Sequence, residues 1–384
     1  MKLAKYLLAM PIAIVISAQT FSDVLSDPNA ALELLNSYLA GEEALFALLS
    51  TAKDITVLAP SNEALYRLEN DEAMIARFAD PGMMGAFLKY HVFSGVWYSS
   101  NFTAAKAPLF VPTMLNDTAF TNVTGGQRVK AHAKDGEVVL YSGMLTQTPI
   151  KSANYNFSGG TIHIIDRVLT VPPNITDTLV TANLTAAAGA LKVAQMAQGI
   201  GQGSPVTVLA PDNDAFNAIG KVIGAMSTAD LAAVMGYHVI PGQALYSGMI
   251  KNGTAATAAQ DDSAVLRFRV EDDGAIFVNS ARIIQSDILF DNGVIHMLDG
   301  VLNPANTSAA PNPTASTQAP AFSGEGTTDG VPFTSGIGTP TSAAPTATVT
   351  DLGTLPVAGA PVPLRTGAVR AALLLGGIVM LVNA

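Results

Sequence analysis

The chain has 384 residues, 49% of them hydrophobic and only 13% charged, with 20 Lys and Arg against 30 Asp and Glu for a formal charge of −10. A nucleic-acid-binding face needs an excess of cations to neutralise phosphates, and this balance supplies none. Cysteine is absent, which removes disulfides, thiolate nucleophiles, thiolate zinc sites and iron–sulfur clusters together and leaves five histidines as the side chains that titrate near neutrality.

Residues 1–18 read as a secretory signal peptide. Lys2 and Lys5 give a positive start, an apolar run follows, and Ile16, Ser17 and Ala18 form a small-residue exit. Residues 19–172 and 173–303 then repeat one another. Ile55 to Leu65, ITVLAPSNEAL, returns as Val206 to Phe216, VTVLAPDNDAF. Tyr90-His91-Val92 returns as Tyr237-His238-Val239, and Gly160 to Leu169, GTIHIIDRVL, returns as Gly293 to Leu302, GVIHMLDGVL. A repeat this long is a duplicated domain rather than a solenoid unit, and the shrinking offset puts extra loop residues in the first copy.

Within each copy helical patterns come first, over 30–39, 43–49 and 181–198. A short buried strand follows, at 56–59 or 207–210, and Ser61 or Asp212 stands where it can cap the next helix by accepting from free N–H groups. After the Tyr-His element, 265–270, 275–278 and 294–298 carry strand patterns. Helices followed by strands imply an α+β fold, two tandem domains each of helices packed on a small β-sheet. Residues 304–357 are rich in Ser, Thr and Pro with three acids and no base, and cannot bury enough apolar surface to offset ordering entropy. They read as a disordered, O-glycosylated stalk. Residues 358–384 begin with small residues at Ala358, continue through a spacer and end in an apolar tail. That order is a GPI-attachment signal with Ala358 as the candidate site. Acceptor sequons at Asn101, Asn116, Asn122, Asn156, Asn174, Asn183, Asn252 and Asn306 agree with passage through the secretory pathway.

The three repeated blocks resemble the two signature boxes and the Tyr-His element of the fasciclin domain, present twice over roughly residues 20–303. With the signal, stalk and attachment sequence, the chain is similar to fungal GPI-anchored fasciclin-like surface proteins. The resemblance implies a binding role for Tyr90, His91, Tyr237, His238 and the Asp287-Ile288 pair, whose first-copy counterpart is Asn154. It implies adhesion or wall organisation at the outer face of the plasma membrane or in the cell wall. The partners would be surface or wall glycans and proteins, and the membrane through the anchor. A second implied role is that of an auxiliary component beside a secreted laccase-type oxidase in coupling aromatic polyketide pigments.

The residues themselves argue against catalysis. Four of the five histidines, His91, His163, His238 and His296, fall at repeat-equivalent positions in apolar, strand-like surroundings, where hydrogen-bonded structural imidazoles are expected. No Glu-x-x-His or His-x-x-x-His spacing offers a further metal ligand, and no Gly-x-Ser-x-Gly is present. Gly199 to Gly203 precedes a strand instead of following one, so it reads as a helix terminator, not a phosphate cradle. The acid pairs Asp261-Asp262 and Asp272-Asp273 read as solvated loops. No cofactor and no metal is expected.

Overall fold

A computed structural model describes residues 19–134, 136–259, 264–324 and 326–339. The signal over 1–18, Asp261-Asp262, residues 340–357 of the proposed stalk and the attachment signal with Ala358 lie outside the described residues.

The two repeats build the same α+β unit. In the first, the strands are β1 (Ile55–Pro60), β2 (Val92–Ser94), β3 (Leu109–Pro112), β4 (Arg128–Lys134), β5 (Glu137–Tyr141), β6 (Gln147–Phe157) and β7 (Gly160–Ile165). In the second they are β8 (Val206–Pro211), β9 (Val239–Pro241), β10 (Ala255–Thr257), β11 (Val265–Val270), β12 (Ile276–Val278), β13 (Ala281–Phe290) and β14 (Gly293–Leu298). The sheet orders, β2-β1-β7-β6-β5-β4-β3 and β9-β8-β14-β13-β12-β11-β10, are identical in topology.

The two repeated boxes of each copy are neighbours in the sheet. β1 runs parallel to β7 with Ile55 opposite Gly160, and β8 parallel to β14 with Val206 opposite Gly293. Such strands are covered on both faces, which is why ITVLAP and VTVLAP are buried throughout and read as continuous apolar runs rather than alternations. A Cβ at Gly160 would lie 1.8 Å from the carbonyl oxygen of Ile55, and one at Gly293 1.9 Å from that of Val206. Only glycine permits the parallel strands to start this close.

Helix punctuation follows local chemistry. Ser61 Oγ accepts from Ala64 N at 3.3 Å and Asp212 Oδ1 from Ala215 N at 2.7 Å, so both expected caps are in place. The helical pattern over 181–198 is not one helix: it resolves into Ile175–Thr181, Thr185–Val193 and Ala197–Ile200. Asn183 and Gln195 break it with left-handed backbone at φ 58° and 57°. In each case the following amide reaches back five residues, Leu184 N to Leu179 O at 2.8 Å and Met196 N to Leu191 O at 2.9 Å, closing a Schellman-type cap. Gly199 to Gly203 ends the third helix and turns into β8.

Each sheet and its helices enclose an apolar core. Ile175 and Leu179 belong to the second. The extra length of the first copy falls chiefly at 113–127, between β3 and β4. Over its described residues the Ser/Thr/Pro-rich segment forms no helix or strand, as its composition implies, yet its first part is not a free stalk. Phe322 is buried in the second core, and Val331, Phe333 and Ile337 pack against that core. Four apolar side chains set among the Ser, Thr and Pro give this stretch the burial that composition alone denied it.

Candidate functional site

The Tyr-His elements point inward. His91 follows the helix Met83–Tyr90, and its Nδ1 donates to Phe87 O at 2.8 Å while Nε2 accepts from Leu169 N at 2.8 Å. His238 repeats the pattern with Val234 O at 2.8 Å and Leu302 N at 2.9 Å. Each imidazole joins a helix end to the chain leaving the second box, with both ring nitrogens occupied. Burial holds both rings down to about 4, so they are neutral at physiological pH. Tyr90 is fully buried and donates to Arg128 O at 2.9 Å, and Tyr237 accepts from Asn279 Nδ2 at 2.8 Å. Neither residue pair presents a surface to a partner. They tie each helical layer to its sheet.

The second histidine pair marks a different place. His163 Nε2 donates to Trp97 O at 2.6 Å and His296 Nε2 to Leu245 O at 2.8 Å. They anchor equivalent segments, Trp97-Tyr98-Ser99 and Leu245-Tyr246-Ser247. Opposite them β6 and β13 each carry register irregularities, with Asn154 and Asp287 both at φ 66°. Asn154 holds Ser99 through its N–H at 3.0 Å and its hydroxyl at 2.8 Å. Asp287 holds Ser247 at the same two atoms, accepting from its N–H at 2.7 Å and, with the hydroxyl now the donor, from its Oγ at 2.5 Å.

The copies differ in what lies outside this element. In the first, Asn154 and Tyr98 are exposed. In the second, Lys130 of the first domain reaches Asp287 Oδ2 at 2.9 Å, and the Asp287 side chain is 0% exposed. Burial alone would raise this carboxyl, but Lys130, His296 and the Ser247 donors together hold it below the usual carboxylate range. Phe110 stacks on buried Tyr246 with ring centroids 4.3 Å apart. From the 113–127 insertion, Gln127 Nε2 donates to Phe290 O at 3.0 Å and Thr121 Oγ1 to Asp291 O at 2.9 Å. Asp287 and Ile288, read from resemblance as an adhesive pair, are therefore an inter-domain contact and a core residue; Ile288 is 1% exposed. Asp291 sits at the same junction, where burial first and Asp177 second push its carboxyl up to about 7.

Among the described residues no group of three or more His, Asp or Glu side chains could hold a metal ion. Asp272 and Asp273 are exposed on the β11–β12 turn, and Asp273 Oδ1 accepts from Ala275 N at 2.9 Å. Asn101, Asn116, Asn156, Asn174, Asn183, Asn252 and Asn306 are exposed. Asn122 is half-buried at the domain junction, its N–H donating to Asp291 O at 3.2 Å. Sequence reasoning missed Lys130, Ser247, Thr121 and Gln127. The signals were the repeated Tyr-Ser dipeptide and the insertion unique to the first copy.

Comparison with known proteins identifies the repeated unit. The family model for the fasciclin domain matches residues 20–172 and 182–304. A fasciclin-like arabinogalactan protein of Arthroderma benhamiae is 33% identical over 352 residues, covering 91% of this chain and 82% of that one. The fasciclin-like arabinogalactan protein elcF of Phaeosphaeria nodorum is 29% identical over 289 residues, covering 74% and 89%. Among solved structures, a FAS1 domain pair from the insect cell adhesion molecule fasciclin I covers 72% of this chain and 97% of that one, at 17% identity and a TM-score of 0.35. The chain belongs to the fasciclin domain family and carries the domain twice.

Proposed function

We propose that this protein is a non-catalytic cell-surface glycoprotein that acts in adhesion or cell-wall organisation, delivered by its N-terminal signal and held at the membrane by a GPI anchor. One observation carries the reading: four of the five histidines and Asp287 are buried, while seven of the eight sugar acceptors are exposed. His91, His163 and His238 have both ring nitrogens bound to backbone groups, His296 is fully buried, and Asp287 is closed off by Lys130. Seven of the eight acceptor asparagines are exposed, spread over both domains and the segment after them. Such a molecule works through its outer surface and its glycans. Two domains on one chain let weak contacts sum through effective concentration. The arabinogalactan-protein names of the fungal relatives support the glycosylated, extracellular part of this reading.

Deletion in the source organism tests it, with attachment, wall sensitivity and secreted aromatic metabolites scored together. Loss of attachment or wall integrity with an unchanged metabolite profile is the expected result. Accumulation of an uncoupled phenolic precursor with normal attachment would overturn it in favour of service beside an oxidase. Complementation with a chain ending at residue 357 tests the anchor, the expected outcome being release of the protein into the medium.

A further inference from the structure

The helical layers of the two domains are closed in different ways. Asn62 and Asn213 are equivalent, and each accepts from the start of an equivalent helix, Leu34 N at 3.0 Å and Ala186 N at 3.0 Å. That register places Ser37 and Tyr38 of the first domain opposite Gly189 and Ala190 of the second. The helices after the first box place Glu69 opposite Gly220. In the first domain Tyr38 donates across the gap to Glu69 at 2.9 Å. In the second both of those side chains are missing, and a groove runs between the helices.

The chain from Gly326 to Gly336 crosses that groove, and residues 318–322 lead into it, with Ala321 O accepting from Asn303 and Asn306 and Phe322 buried in the core. Phe333 packs edge-on against Phe216 with centroids 6.2 Å apart. Lys221 N donates to Gly326 O at 3.0 Å and Lys192 Nζ to Gly336 O at 3.4 Å. A Cβ at Gly189 would lie 1.8 Å from Phe333 O, and one at Gly220 2.4 Å from Thr328 Oγ1. Glycine inside a helix weakens it, so Gly189, within Thr185–Val193, answers to the crossing segment and not to its helix, while Gly220, at the start of the short helix Gly220–Ile223, leaves the same clearance. Phe333 itself is held at φ 63°, a conformation a bulky residue keeps only when its surroundings over-determine it.

We infer that the second domain carries a peptide-binding groove along Gly189, Ala190, Phe216 and Gly220, and that its occupant is this chain's own strap, residues 318–324 and 326–338. The groove receives a turn-rich segment through one aromatic side chain and close backbone approach over the two glycines. The segment after the second domain is thus a dedicated cover for that domain, and any tether starts beyond residue 338. This inference does not depend on the anchored-surface reading, since the strap is seated whether or not the chain is attached to a membrane.

The test uses the full secreted chain and limited proteolysis of the strap, whose cleavage rate reports the population of its open form. Phe333→Ala is expected to speed cleavage within 318–338 roughly tenfold or more, one decade for each ~1.4 kcal/mol of lost seating. The double variant Ala190→Tyr/Gly220→Glu installs the first domain's own closure. It is expected to expel the strap, with equally fast cleavage, while the domain body melts at an unchanged temperature. Wild-type cleavage already as fast as in Phe333→Ala would overturn the inference. So would protection that appears only in a dimer and fades on dilution, because the occupant would then be a second copy's strap. If the double variant unfolds, Phe333→Ala still decides, since it alters only the strap.

Discussion

His91 and His238 determine how the fold responds to acid, and the sign follows from burial. Their folded values near 4 lie below the ordinary 6.5, so on acidification the unfolded chain takes up protons first. Stability is therefore full above about pH 7 and falls as pH drops from 6.5 towards 4, by up to about 3 kcal/mol for each ring. His91→Phe removes that titration but leaves Leu169 N–H without its acceptor. The expected outcome is a loss of about 1–3 kcal/mol at pH 7.5 that shrinks towards pH 4.5, read from calorimetric melts across that range. Asp291 acts in the opposite sense. Its carboxyl is raised from 3.8 to about 7, so the folded state binds the extra proton and stability falls as pH rises between those values. Asp291→Asn should raise the melting temperature at pH 8 and change little at pH 4. A variant less stable than wild type at pH 8 would show that the ionised carboxylate is needed there.

Elements were legible in the sequence wherever one period or one buried run decided them. The strands β8, β11, β12 and β14 and the caps at Ser61 and Asp212 follow directly from apolar patterning and local N–H chemistry. The breaks at Asn183 and Gln195 were not legible, because a left-handed residue there needs no glycine or proline to announce it. The strap was hidden by its composition: Phe322 and Phe333 are two residues among many Ser, Thr and Pro. The role of Asp287 was hidden by distance, since Lys130 lies 157 residues away and nothing local pairs them. The box glycines belong to this scale as well. Gly293→Ala places a methyl 1.9 Å from Val206 O and must part β8 from β14 at their first pair. Such a clash with backbone in a buried parallel pair should cost more than the ~1–3 kcal/mol typical of core overpacking, and secretion yield together with thermal melting measures it.

At the scale of the whole molecule, the Asp287–Lys130 pair explains why equivalent positions carry Asp in one copy and Asn in the other. Both side chains hold the same serine of a Tyr-Ser segment, but only the second is roofed by a cation from the neighbouring domain. An adhesive role for Asp287 would require the domains to part and expose it, at the expense of the Phe110–Tyr246 stack and the bonds to Phe290 and Asp291. Lys130→Met strands a buried carboxylate and should cost about 3–5 kcal/mol, whereas Lys130→Met/Asp287→Asn, which copies the first domain's neutral version, should recover most of it. Because the Asp287 carboxyl is held low, the contribution of the pair persists down to about pH 4 and vanishes only as pH falls through the depressed folded value. Between pH 6.5 and 4 the histidines lower stability and Asp291 opposes them, whereas the pair's own contribution is lost only below about pH 4, so it separates from both on one pH series. Small-angle scattering completes the measurement. The single variant should show a larger radius of gyration than wild type and the double variant a wild-type one. Simple additivity of the two substitutions, with no change in radius, would mean that the pair does not hold the domains together.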